Sequence, residues 1–442
     1  MSVVERTGTD AAKSILNAIE KDGCAVLRGG VYSSSPFSLP SQSKLIIEKD
    51  ATLRFIPDFS LYKPVFTRWE GVQCWCMHPC LFINESEDVT IEGEGTIDGS
   101  GELWWTTCRE KRERNRTPET ELEKHYASLN PDYRTQPGGG GGREFQFLRP
   151  PLLQIRKSRS VRIEGVTLQN SPFWTLHPLF SEDVMIRNIS IINPYDAPNT
   201  DGIDIESSSR VTVMDSFVHV GDDGIAIKSG SGKEGLKDNV PSKDILIKGC
   251  TVKAAHGGAV IGSETAAEIS GITVEDCIFD GTDRGIRIKT RRGRGGNIHD
   301  LVFRRIRMKG NLCPFVINTY YRCGTADSSL FSLSPLPVDD ATPIIHTILI
   351  EDCIGEDSRA SAGMAVGLPE LPIDNVTVRN SSFSVTEDSK ALVPPSESDM
   401  YLGLPEPVSR GFRLRNIRIH IENLSIKCEG EGIIKEEGTQ LF

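Results

Sequence analysis

The hydrophobic pattern changes period once near the start of the chain and then keeps its new period to the end. From Asp10 to Asp22, Ala11, Ile15, Leu16 and Ile19 recur at helical spacing, which predicts an amphipathic helix. Beyond it come short runs that alternate apolar and polar residues and are rich in Val and Ile. Examples are KLIIEKDATLRFI at 44–56, DVTIEGEGTIDGS at 88–100, SVRIEGVTLQNS at 160–171, DILIKGCTVKAA at 244–255 and NVTVRNSSFSV at 375–385. Each reads as a strand, a polar bend and a second strand. Their starting residues Val161, Val184, Val211, Ile245, Ile272 and Leu301 follow one another at 23 to 34 residues. A repeat of that length marks a solenoid, in which each unit covers its neighbour's apolar face. The period of two and the β-branched residues exclude helical repeats, and the missing LxxLxL frame argues against leucine-rich repeats. The expected fold is therefore an all-β, single-stranded, right-handed parallel β-helix. Residues 1–442 form one domain in this expectation, with residues 10–22 as a helix capping its open end.

Residues 103–150 interrupt the pattern. Thr117 followed by Pro118 predicts a helix start. Gly138 to Gly142 reads as a flexible hinge or loop. The segment is either a solvated insertion or a flap over a cleft.

Composition narrows the class. A net charge of −11 is the reverse of a nucleic-acid binder's balance, so an acidic ligand would require a local basic patch. No apolar run approaches the ~18 residues of a membrane helix. The first residues carry Glu5, Arg6, Asp10 and Lys13 where a secretory leader needs an apolar core. A cytoplasmic location with reduced thiols is the expectation, and Cys74, Cys76 and Cys80 lack the second cluster of a zinc site.

Candidate chemistry appears when the strands are aligned on their inward Ile and Val pairs. Gly202, Gly224, Gly258 and Gly285 then share a column, Asp201 and Asp223 the next, and Asp222, His256 and Asp283 the one beyond. Lys228 and Lys289 share a column on the other side, with Arg287 two residues before Lys289. Stacked strands lie ~4.8 Å apart, so the carboxylates of Asp201 and Asp223 are expected to be near neighbours and to raise the proton affinity of at least one. Asp204, Asp283 and Glu264 are read as turn chemistry.

The stretches NTDGID at 199–204, GDD at 221–223, HGG at 256–258 and RIK at 287–289 resemble, in order and spacing, the four signature motifs of glycoside hydrolase family 28, the polygalacturonases. Gly224 and Ala255 stand where that family often carries Cys and Gly. The resemblance implies an inverting hydrolase of α-1,4-linked galacturonic acid. In it Asp222 is the general acid, Asp201 and Asp223 hold the water, and His256 supports the acid. The substrate is a polyacid, so Arg287 and Lys289 are expected to bind its carboxylates, with Lys228 and Arg291 nearby. Arg292 and Arg294 extend the same basic stretch. Tyr320 is favoured as the substrate-contacting Tyr that the family carries near there. TRWEG at 67–71, Trp174 and His177 are candidates for sugar subsites.

No cofactor and no metal are expected, and the glycine run lacks the Lys-Ser/Thr pair of a phosphate loop. The expected partner is an acidic pectic oligosaccharide, with no nucleic acid and no membrane. Alternatives are a rhamnogalacturonan-directed hydrolase, a β-helical lyase using Ca²⁺ and a basic residue, and a non-catalytic β-helical carbohydrate-binding protein. The location and the insertion, taken as closing one end of a cleft, favour exo action.

Overall fold

The computed structural model describes residues 2–5, 10–114, 116–137 and 140–442. The chain is a right-handed parallel β-helix, with four α-helices among the described residues. It divides into two compact units, Met1–Asp222 and Asp223–Phe442.

In the first unit the predicted strand starts are in register. Val89 faces Val161, Val161 faces Val184 and Val184 faces Val211. In the second unit Ile245, Ile272, Leu301, Ile348 and Val376 form one continuous column. These side chains are at most 2% exposed. Burying each contributes roughly 1.5–3 kcal/mol relative to leaving it in water.

The polar bend between paired strands has a specific cause. Gly93, Gly165, Asn188 and Asp215 in the first unit all take positive φ there, as do Gly249, Asp276, Asp352, Asn380 and Asn423 in the second. Gly, Asn and Asp tolerate this left-handed conformation best. Arg305 is the exception at the same position, with φ 54°.

Helix α1, Ala11–Asp22, starts on an Asp10 cap that accepts from the Ala12 N–H at 3.0 Å. It ends on Gly23 in the left-handed conformation. The insertion in the first unit is a helix pair, α2 (Glu102–Arg114) and α3 (Glu121–Leu129). It is anchored, not solvated. Trp104 is fully buried against Phe59 and Tyr62, and the Trp105 indole N–H donates to the Ser171 carbonyl at 2.8 Å. The start expected at Thr117 and Pro118 falls three residues early. Thr120 caps α3 in a capping box with Glu123, so the two orphan donors are satisfied there. Of the glycine run, Gly138 and Gly139 lie outside the described residues. Gly141 is a close-packing point: a Cβ there would stand 2.6 Å from the Trp69 ring. Nine of the eleven cysteines are buried.

Candidate active site

In the first unit the strand Ile203–Glu206 is buried on both faces, and Asp201 lies just before it. Asp201 is 3% exposed, and Asp222, the last residue of the unit, is half-buried. One carboxylate oxygen of each lies within 4.8 Å of the other. Two carboxylates that close repel each other when both are ionised.

The approach to Asp201 is fixed by buried arginine. Arg149 is fully buried and donates to the carbonyls of Pro172 at 2.9 Å, Pro198 at 2.7 Å and Gly141 at 3.2 Å. It also donates to Asn199 Oδ1 at 2.9 Å. Arg112 of α2 donates to the same Oδ1 at 2.6 Å, and Arg109 reaches Asp196 at 2.8 Å. The insertion is thus tied to residues 196–199, directly upstream of Asp201.

The residues at 67–71, with Trp174 and His177, pack inside this unit. Trp69 is 1% exposed and stacks on Phe173. Phe173 in turn stacks on Trp174. His177, 1% exposed, bonds Gln154 at 2.9 Å and Glu206 at 3.0 Å. Arg68 joins Glu206 at 3.3 Å. These side chains form a buried polar layer, which the sequence pattern did not distinguish from a sugar platform.

The second unit opens on Asp223, one peptide bond from Asp222 and 1% exposed. Three of the four glycines expected in one column are in line within this unit: Asp223 pairs with Gly257, and Ala259 pairs with Ile286, which sets Gly224, Gly258 and Gly285 in register. A Cβ on Gly258 would stand 2.3 Å from the Phe279 ring, so close packing accounts for that glycine. His256 is half-buried just before its strand.

Arg287 and Lys289 project from the strand Arg284–Lys289 toward acids of the protein itself. Lys289 Nζ lies 2.6 Å from Asp223. Arg287 lies 3.4 Å from Asp223 and 2.6 Å from Asp399. Asp399 also accepts from Asn318 at 2.8 Å and pairs with Arg284 at 3.4 Å. Burial pushes the Asp399 carboxyl up, but Arg287 and Arg284 override it and hold it down at about 2. Burial likewise lowers Arg287, and Asp399, Tyr321 and Asp223 together leave it raised. Asp399 escapes sequence reasoning because it stands outside every motif.

The other expected binding residues sit differently. Lys228 pairs with Glu264 at 3.1 Å, both buried. Burial raises the Glu264 carboxyl, but Lys228, Arg294 and Lys289 hold it down at about 2. Arg291 is 5% exposed and donates to the backbone carbonyls of Arg292 and Gly324. Burial, with Arg294 adding to it, lowers Arg291 to about 10. Tyr320 is fully buried in an apolar cluster with Cys313, Phe331 and Met364. Its neighbour Tyr321 is the tyrosine beside the basic pair, with Arg287 5.5 Å and Lys289 5.3 Å from its ring centre. Alternation along the chain points the two side chains to opposite sides, which a one-residue choice from sequence could not resolve.

Residues 143–340 match the family model described as Glycosyl hydrolases family 28. A probable polygalacturonase of Vitis vinifera is 27% identical over 368 residues, covering 82% of this chain and 67% of that protein. An endo-polygalacturonase of Pectobacterium carotovorum subsp. carotovorum is 28% identical over 335 residues, covering 71% and 72%. The crystal structure of a hyperthermoactive exopolygalacturonase from Thermotoga maritima superposes with a TM-score of 0.73 at 25% identity, covering 95% of this chain and 88% of that one.

Proposed function

We propose that this chain, which belongs to glycoside hydrolase family 28, is an exo-acting galacturonidase that removes terminal α-1,4-linked galacturonic acid from pectic oligosaccharides with inversion. The observation that carries the chemistry is the close pair of Asp201 and Asp222, with oxygens within 4.8 Å. In this proposal Asp222, the more exposed of the two, keeps the shared proton and gives it to the leaving glycosidic oxygen. Asp201 stays ionised and draws a proton from the attacking water. Asp223 is an anion held by Lys289 and Arg287, and so is suited to bind and orient a water and not to donate a proton. His256 keeps the supporting role that its motif implies.

The spacing of the acid pair alone does not carry inversion. Carboxyl groups ~6.5–9.5 Å apart are usual for inverting enzymes and ~5–5.5 Å for retaining ones. A water hydrogen-bonded at ~2.7 Å to both oxygens spans up to about 5.4 Å, so one fits between Asp201 and Asp222. Inversion therefore rests on the motif resemblance. Exo action is supported by the helix pair packed beside residues 196–199 and by the similarity to the exopolygalacturonase of Thermotoga maritima.

The assignment is tested with Asp222→Asn, which keeps the shape and removes the transferable proton. Turnover of trigalacturonate is expected to fall at least ~100-fold with KM changed far less. Near-normal turnover by a folded variant would remove Asp222 from the role of acid.

A further inference from the structure

The substrate assigned above carries a carboxylate on every sugar, yet the basic residues of the RIK motif are occupied by acids of the protein. Lys289 faces Asp223 at 2.6 Å, Arg287 faces Asp399 at 2.6 Å, and Lys228 faces Glu264 at 3.1 Å. Arg287 already serves two carboxylates, Asp399 and Asp223. The first unit contains two guanidinium groups of the opposite kind. Arg112 and Arg149 both donate to Asn199 Oδ1, at 2.6 Å and 2.9 Å. Among the described residues neither has a carboxylate within ion-pair distance. The remaining acceptors of Arg149 are the three neutral carbonyls of Pro172, Pro198 and Gly141. Two positive charges therefore meet at one uncharged oxygen, two residues before Asp201.

Such an arrangement is costly without an anion, because like charges repel and burial removes the water that would screen them. Burial lowers the proton affinity of Arg149 most and the nearby Arg112 also lowers it, while Cys108, Glu70 and Asp222 raise it. The two residues have different access. Arg149 is 0% exposed and stacks on Phe173, so it acts from behind. Arg112 is half-buried at the exposed end of α2 and retains donors beyond the one used on Asn199.

We propose that Arg112, oriented through Asn199 by Arg149, is a carboxylate-binding subsite for a uronic acid of the substrate, contributed by the helical insertion. This rests on the galacturonide reading of the site. The subsite fits the planar carboxylate of a galacturonate residue, which a guanidinium can meet with two parallel hydrogen bonds. It gives the insertion a chemical role in selecting acidic over neutral sugars, beyond any steric one.

The test is equilibrium binding of galacturonic acid and of galactose, its neutral counterpart, to the full chain by titration calorimetry. The unsubstituted protein is expected to bind galacturonic acid at least ~10-fold more tightly than galactose, as one charge-assisted pair supplies. Arg112→Gln is expected to erase that preference, and Arg112→Lys to restore part of it. An unchanged preference in Arg112→Gln would overturn the proposal, as would the absence of any preference in the unsubstituted protein. Turnover of trigalacturonate, measured separately, judges the galacturonide reading itself. A protein that prefers galacturonic acid without cleaving its oligomers would keep the subsite and lose the assigned reaction.

Discussion

At the scale of single residues, the second unit is governed by a buried charge network. Asp399 joins Arg287, Arg284 and Asn318, and Arg287 and Lys289 hold Asp223. Removing one member of a buried pair costs ~3–5 kcal/mol, because the partner's charge stays behind without water. Asp399→Asn is expected to lose about that much stability at pH 7. The pH dependence has a definite sign. The folded-state pKa of Asp399, about 2, lies below the ordinary 3.8, so its contribution is full above pH ~4 and is lost as pH falls toward about 2. Urea unfolding at pH 7, 4, 3 and 2 should show the gap between the two proteins closing across that window. A constant gap would show that Asp399 acts through packing alone.

The same residues show where sequence reasoning reaches its limit. Asp201, Asp222, Asp223, Arg287 and Lys289 were legible because the β-helix places repeat-related positions on one rung, and the motifs mark that rung. Asp399 meets Arg287 across 112 residues of chain, through a segment without strand periodicity, so no spacing announces it. Tyr320 and Tyr321 differ only in which side of the backbone they leave. Asn199 stood inside a quoted motif, but its meaning depends on Arg112 and Arg149, which pattern alone does not bring together.

At the scale of elements, the strand repeat was readable because burial and backbone conformation repeat together. Each coil needs an apolar alternation for the interior, most bends take a left-handed residue, and both leave marks in the sequence. The hairpin of Pro64–Trp69 with Val72–Met77 was not readable. It lies outside the repeat; its Trp69, Cys74 and Cys76 are buried in a cluster with Leu148, Phe173 and Trp174, while Trp75 is exposed. The start of α3 was misplaced because Pro118 is a weaker signal than the reciprocal bonds between Thr120 and Glu123. The columns carry the energetic claim of this scale. Ile186 is fully buried between Ile163 and Val213 on the neighbouring coils. Ile186→Ala should therefore cost ~2–5 kcal/mol, the lost transfer energy plus that of the cavity left behind. Denaturant midpoints measure it, and a change under ~1 kcal/mol would mean that the coil collapses around the gap and that the column is not a tight core.

At the scale of the whole molecule, a chain of net charge −11 is assigned a polyanionic substrate, so recognition has to come from local cations. The first unit supplies the acid pair, Asp201 and Asp222, and the insertion with Arg112. Arg112 and Arg109 tie α2 to Asn199 and Asp196, just upstream of Asp201, and the proposal of exo action draws on that tie. The most direct test is proton NMR of the reaction with polygalacturonate and with trigalacturonate, read at under about a tenth of full conversion. The account predicts galacturonic acid monomer as the single early small product from polygalacturonate, and monomer with an equal amount of digalacturonate from trigalacturonate, each new reducing end released as the β-anomer before mutarotation, the outcome of inversion at an α-linkage. A ladder of intermediate oligomers from polygalacturonate, or monomer released as the α-anomer, would contradict it.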